Sequence, residues 1–207
     1  MKKIPISLIV CLMFCADIHS QETIGAKSEN WTVYNREVSF DKGAVHLNAK
    51  EGDGLSWVKD YGFSDGTIEL EVKGKNNPGR SFVGIAFHGL DGETFDAVYF
   101  RPFNFKNPGK RANSVQYISM PGHDWRSLRE AFPGKYESKI EPVPEPVDDW
   151  FQVKVVIDYP NIQVFINGAT TPTLSVKQLS NRKKGKLGLW VGNGSEGWFR
   201  NLTIKHR

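Results

Sequence analysis

The chain has 207 residues, 39% of them hydrophobic and 12% aromatic, enough to fill one sizeable core. Its 27 basic and 23 acidic residues leave a formal net charge of +4, a mild and scattered excess that argues against nucleic acid as a partner. Its two cysteines, Cys11 and Cys15, both fall in the first twenty residues. Removal of that segment would exclude disulfides, zinc clusters and thiol nucleophiles.

Removal is what the N-terminus predicts. Lys2 and Lys3 precede an apolar run over residues 4–16, followed by Asp17-Ile18-His19-Ser20, the layout of a secretory signal peptide. The run is shorter than the about 20 residues of a membrane span, and no later stretch approaches that length, so no span is expected. Val10 before Cys11 and Phe14 before Cys15 are poor matches to a lipid-attachment site. The expectation is a signal over residues 1–20 and one soluble domain over 21–207, secreted or periplasmic.

From Trp31 onward, short runs rich in Val, Ile, Phe and Tyr alternate with Gly, Asn, Asp and Pro. They predict strands over 37–40, 44–47, 54–58, 67–73, 82–88, 95–101, 114–120, 151–158, 162–166, 186–191 and 198–204. Asp41-Lys42-Gly43, Asp65-Gly66, Asp91-Gly92, Tyr159-Pro160-Asn161 and Asn167-Gly168 supply the turns between them. Residues 175–179 read as a short helical turn, and no long stretch carries a helical period. Strands at this spacing predict an all-β sandwich or barrel.

Alternation assigns faces. Ile68-Glu69-Leu70-Glu71-Val72-Lys73 puts apolar side chains on one face and charges on the other, as in a strand with one side in water. The run from Phe82 to His88 is apolar in both phases, which fits a central strand whose second face is covered or lines a groove that Gly84 and Ala86 keep open. Residues 102–149 form an unusually long connection, rich in Pro and Gly yet full of aromatic and charged side chains. Connections of that kind tend to carry function. Within it, Glu141-Pro142-Val143-Pro144-Glu145-Pro146 reads as an extended polyproline-like strap.

The downstream half carries Trp150-Phe151-Gln152-Val153-Lys154-Val155-Val156, Ile162-Gln163-Val164-Phe165-Ile166-Asn167-Gly168, Gly185-Lys186-Leu187-Gly188-Leu189-Trp190-Val191 and Phe199-Arg200-Asn201-Leu202-Thr203-Ile204. This resembles the closing strands of concanavalin A-like lectin and glucanase domains, especially the 3-keto-disaccharide hydrolase family, and also laminin G-like sandwiches. The upstream Gly66–Val72 and Phe95–Pro102 segments stand in the order that family places its strands. The resemblance spans nearly all of residues 21–207 and implies an antiparallel two-sheet jelly-roll sandwich. It also implies a carbohydrate ligand on the concave sheet and, in some members, cleavage of oxidised glycosides. The matching motifs are scaffold features, and a matching catalytic motif is not among them.

Glycoside hydrolysis generally uses two carboxylates. Glu69 and Glu71, with backbones roughly 7 Å apart on one strand face, resemble the Glu-x-Asp-x-Glu strand of the sixteenth glycoside hydrolase family, but Lys73 replaces the third carboxylate. They read as a solvated outer face. His88, Tyr99, Arg101 and Gln116 belong to three neighbouring predicted strands in phases that allow one shared face, where they can bind sugar hydroxyls. His123-Asp124-Trp125-Arg126 follows a Pro-Gly turn, with Trp125 a stacking platform and His123 beside Asp124 a possible oriented base. Arg129 joins Tyr99, Arg101, Gln116 and Trp125 as a candidate ligand contact.

The leading expectation is an extracytoplasmic carbohydrate-binding domain with the 102–149 segment folded over the concave sheet. One alternative is a glycoside hydrolase or lyase acting on ordinary or 3-keto disaccharides, with His123 or His88 and Glu137 or Asp124 as acid and base. Another is a protein-binding adhesion module like laminin G domains. No cofactor and no metal site is expected.

Overall fold

The computed structural model describes residues 21–207; the expected signal over residues 1–20 and both cysteines lie outside the described residues. In chain order the strands are β1 (Gln21–Ile24), β2 (Trp31–Tyr34), β3 (Val38–Asp41), β4 (Ala44–Leu47), β5 (Gly54–Val58), β6 (Gly66–Lys73), β7 (Val83–Gly89) and β8 (Phe95–Phe100). After β9 (Val115–Met120) come one helix, α1 (Trp125–Ala131), and β10 (Glu137–Ser138). The chain closes with β11 (Phe151–Asp158), β12 (Asn161–Ile166), β13 (Leu174–Lys177), β14 (Lys186–Val191) and β15 (Gly197–His206).

The strands form two antiparallel sheets. The first runs β13-β12-β11-β6-β15-β4-β3, and the second β10-β9-β8-β7-β14-β5-β2. Strand β15 is long enough to serve two partners along one edge: β4 pairs with Gly197 to Arg200, and β1 with Leu202 to Lys205. Between those halves its register against β6 shifts, and Asn201 adopts φ +56°, the left-handed residue of a bulge. The hairpin from β3 to β4 turns on Lys42 (φ +48°) and Gly43 (φ +77°). Two positive φ values at a two-residue loop match the right-handed twist of the flanking strands.

Alternation explains how the sheets pack. In β6 and β11 every second side chain is buried, so Ile68, Leu70 and Val72 join Val153, Val155 and Ile157 in the core between the sheets. From the second sheet Phe100 meets Phe151 edge to face at 5.3 Å, and Phe105 meets the same ring at 5.6 Å. Glu69 and Glu71 lie on the opposite, outer face of β6, where Arg200 and Asn201 bind Glu71.

The second sheet is buried on both faces at its centre: β5, β7 and β8 are buried at every position. The groove expected above Gly84 and Ala86 is filled. A Cβ on Gly84 would lie 2.6 Å from Cβ of Tyr99, and one on Gly89 2.4 Å from the Trp57 ring. Gly84 is thus closed off by the backbone of β8 and the base of Tyr99, and Gly89 by the Trp57 ring.

Three segments differ from sequence expectation. Residues 175–179 contribute to β13 instead of a helical turn, because Leu174 and Val176 alternate inward and the strand pairs with β12. β1 and β2 lie upstream of the first expected strand. Inside the 102–149 segment, α1 is capped by Asp124, whose carboxylate accepts from Ser127 N–H at 2.7 Å and Ser127 Oγ–H at 2.8 Å. Among the described residues no helix is long and apolar enough to cross a membrane.

Candidate functional site

The chemistry gathers where β8 ends. Arg101 follows that strand and precedes a 3-10 turn over Pro102–Asn104; its backbone N–H still donates to Ser114 O at 2.8 Å, extending the ladder by one rung. The residue is 5% exposed. Nη1 donates to Asn113 O at 2.7 Å, and Nη2 donates to Tyr99 Oη at 2.5 Å with a longer reach of 3.4 Å to Gln116 Oε1. Gln116 is fixed in turn: its amide donates to the carbonyls of Tyr117 and Tyr136 at 2.9 and 3.0 Å. The register that puts Tyr99 opposite Gln116 brings these three side chains together.

Burial pushes the Arg101 guanidinium below its ordinary value, with nearby Arg129 adding to the effect and Tyr99 and Glu137 opposing it. Burial also pushes the Tyr99 phenol up. The Tyr99 ring packs at 4.8 Å on Trp190 and edge to face at 6.0 Å on Phe82, which meets Phe103 at 5.6 Å.

Arg129, on α1, grips Glu137 through Nε at 3.0 Å and Nη2 at 2.5 Å, a forked pair that raises the Arg129 value. Its guanidinium also lies 5.1 Å from the ring centre of Trp125, which is 40% exposed. Phe82, Arg101, Phe103, Asn113, Trp125 and Arg129 share the lining of a cleft of about 260 Å³, with Asn104 and Lys110 at its side.

The structure thus brings Arg101, Trp125 and Arg129 into one cleft, with Tyr99 and Gln116 buried behind Arg101. The four residues considered for acid–base work do not converge. His88 is fully buried. Its Nε2 donates to Ser64 O at 2.7 Å, and its Nδ1 lies 3.1 Å from Gln178 Oε1. Its φ of +49° breaks the strand alternation and carries the ring off the face shared by Tyr99 and Gln116. Asp124 is the helix cap, and the Ser127 N–H bond above all holds its carboxyl below the usual range. Glu137 is committed to Arg129. His123 is exposed, and its backbone pairs with Ser119 in a turn outside the cleft lining.

Sequence reasoning passed over Asp53, between Gly52 and Gly54 at the start of β5. Burial raises its carboxyl, opposed by Arg36 and the Asn193 backbone. The buried Trp190 indole N–H lies near enough to favour the charged form, yet forms no hydrogen bond of good geometry. Lys110, Asn104 and Asn113 were also missed, since each reads locally as a loop residue. Among the described residues no group of three or more His, Cys, Asp or Glu side chains is placed to share a metal ion.

Comparison with known proteins fits this architecture. The carbohydrate binding module CBM66 from Bacillus subtilis aligns with a TM-score of 0.61 at 16% identity, covering 85% of this chain and 95% of that one. A Bacillus subtilis protein with a galectin-like fold gives 0.61 at 19% identity over 91% and 96%. The exoplasmic/lumenal domain of VIP36, in its Ca2+/Man3GlcNAc-bound form, gives 0.57 at 14% over 88% and 86%. Identities this low show a shared concanavalin A-like sandwich and nothing finer. No curated protein matches the chain. The model of the 3-keto-alpha-glucoside-1,2-lyase-like domain matches residues 21–205, and the chain belongs to that family.

Proposed function

We propose that this protein is an extracytoplasmic carbohydrate-binding domain whose ligand enters the cleft between the end of β8 and α1. The observation that carries this reading is the pairing, in one cleft, of an exposed indole at Trp125 with a buried, pre-positioned guanidinium at Arg101. A sugar ring offers an apolar face and a rim of hydroxyls. Trp125, Phe82 and Phe103 suit the face, and Arg101, Asn104 and Arg129 suit the rim. The names of the carbohydrate binding module and the mannose-bound VIP36 domain support the ligand class, and the N-terminal apolar run supports export as one domain over 21–207.

The test is a thermal-shift screen of the exported chain against mono- and oligosaccharides, 3-keto sugars included, with product analysis of every hit. Stabilisation that Trp125→Ala abolishes supports the reading; no response to any saccharide overturns it.

Asp53 and the family description favour a second reading, elimination or hydrolysis at a 3-keto-α-glucoside. A carboxyl raised by burial suits proton removal beside a ketone. Asp53 adjoins Trp190, whose ring packs on Tyr99, and thus lies along the same face as the cleft. Turnover of a 3-keto-glucoside that falls at least a hundredfold in Asp53→Asn, with folding intact, supports it; turnover unchanged in Asp53→Asn removes Asp53 from the chemistry.

A further inference from the structure

The cleft has an unusual charge balance. Its lining includes Arg101, Lys110 and Arg129 and no Asp or Glu. Other clefts on the surface are mixed: one carries Asp158 with Lys205 and Arg207, another Glu69 and Glu71 with Lys154, a third Asp148 with Lys73 and Lys75. The carboxylate paired with Arg129 is Glu137, whose side chain is only 7% exposed and which Nε and Nη2 of Arg129 already engage.

Arg101 is the sharper anomaly. It is 5% exposed, yet the oxygens it meets among the described residues belong to a carbonyl, a phenol and an amide, all neutral. A buried cation ordinarily has a carboxylate beside it, because neutral acceptors recover only part of the lost hydration. Asp96 shows the ordinary solution in this same protein: it is fully buried and paired with Arg182 at 2.8 Å. The bonds to Asn113, Tyr99 and Gln116 fix the Arg101 guanidinium plane and leave Nε with no acceptor among the described residues while the residue lines the cleft. A fixed, donor-only group whose hydrogen-bond acceptors are all neutral is suited to an anion delivered from outside.

We propose that the saccharide bound in this cleft is anionic, its acid group seated on Arg101 with Lys110 and Arg129 supplying further positive potential. This rests on the carbohydrate reading above and narrows it. The shared ligand chemistry is a sugar-borne carboxylate or sulfate. Arg101 contributes its charge and the Nε–H donor that no residue takes, Lys110 a solvated charge at the mouth, and Trp125 the face on which the ring carrying the acid stacks.

The experiment is calorimetric titration of the exported chain with trigalacturonic acid, with its carboxyl-reduced neutral counterpart, and with a sulfated heparin disaccharide. The carboxylated trisaccharide is expected to bind at least tenfold more tightly than the reduced one, with a preference that shrinks as salt is raised. Lys110→Gln should cut the preference several-fold. Lys177→Gln, an exposed charge removed from β13 of the other sheet, should leave it unchanged. Arg101→Lys, which keeps the charge and loses the fixed Nε–H donor, should abolish the preference while the chain stays folded. Binding of the sulfated disaccharide supports recognition of charge in general; its failure beside strong carboxylate binding supports recognition of the planar group. Equal affinity for the acidic and neutral trisaccharides overturns the proposal and leaves the carbohydrate reading standing. Equal losses in Lys110→Gln and Lys177→Gln overturn it as well, because the preference then reflects the basic chain as a whole. Binding of neither trisaccharide, in a chain that also ignores the saccharide screen, overturns both.

Discussion

Arg101 and Tyr99 stand two residues apart at the end of one strand, and the guanidinium of the first donates to the phenol oxygen of the second at 2.5 Å. Residues two apart on a strand share a face, so this contact is a local consequence of the β8 sequence, while the Asn113 carbonyl that takes Nη1 arrives from the far side of the intervening turn. Tyr99 thus holds Arg101 in place from within, and the turn closes over it.

Tyr99→Phe separates the phenol's packing from its hydrogen bond. The ring contacts with Trp190 and Phe82 persist, but Nη2 of Arg101 keeps only the long contact to Gln116. A hydrogen bond to a charged group contributes about 1.5–3 kcal/mol. Denaturant unfolding is expected to show a loss in that range, and saccharide affinity is expected to fall with it. Because burial pushes the phenols of Tyr99 and Tyr117 up, ultraviolet titration of the wild type should show two tyrosines that ionise only with unfolding.

Trp125→Ala tests the stacking face. Trp125 is exposed and lies on the first turn of a short helix, so the folded state should change by no more than about 0.5 kcal/mol. Its removal should weaken saccharide binding by about 1 kcal/mol or more. Thermal unfolding and calorimetric titration read the two effects apart: the unfolding midpoint stays, and the dissociation constant rises at least about fivefold.

The helix cap makes a pH prediction. The Ser127 N–H bond lowers the Asp124 carboxyl relative to its unfolded value, so the cap's charge-dependent stabilisation is fully present above the unfolded carboxylate value. It is lost as pH falls through the lower folded value. Asp124→Ala removes the cap and should cost about 1 kcal/mol at neutral pH. Asp124→Asn keeps an acceptor and should retain most of the stability while losing that acid-dependent increment. Thermal midpoints of the three proteins between neutral and strongly acid pH check both statements.

Much of this arrangement can be read from the sequence, and the exceptions share a cause. The alternation in Ile68–Lys73 identifies which face of β6 meets water, and the phases of Tyr99 and Gln116 place them together, because a strand repeats every second residue. His88 escapes that rule through its left-handed backbone, a local departure that residue order does not reveal. β13 was obscured by its shortness: four residues with two buried positions give too little pattern to tell a strand from a turn. Lys110 and Asn113 reach the cleft only through tertiary folding. The 102–149 segment stands out in the sequence by its aromatics, but that Arg129 would grip Glu137 depends on α1 and β10, two short elements without strong periodic signals.

Arg182 gives the last expectation. In the sequence it belongs to the basic run Arg182-Lys183-Lys184, which resembles a solvated turn, and Lys183 and Lys184 are indeed exposed. Arg182 instead turns inward, and its Nη2 reaches the fully buried Asp96 at 2.8 Å. The same carboxylate accepts from Tyr117 Oη at 2.5 Å and Ser180 Oγ at 2.6 Å, and Leu179 N–H donates to that phenol oxygen at 2.9 Å. The network ties β8 and β9 to the strand-free segment between β13 and β14. Arg182→Ala leaves Asp96 with two hydroxyl donors and no counter-ion, and losing one member of a buried pair costs about 3–5 kcal/mol. Arg182→Ala combined with Asp96→Asn removes the stranded charge as well, and should recover a substantial part of the loss. Chemical unfolding of the single and double variants measures the difference; a double variant no more stable than Arg182→Ala alone would mean that the carboxylate is accommodated by Tyr117 and Ser180 without help from the arginine.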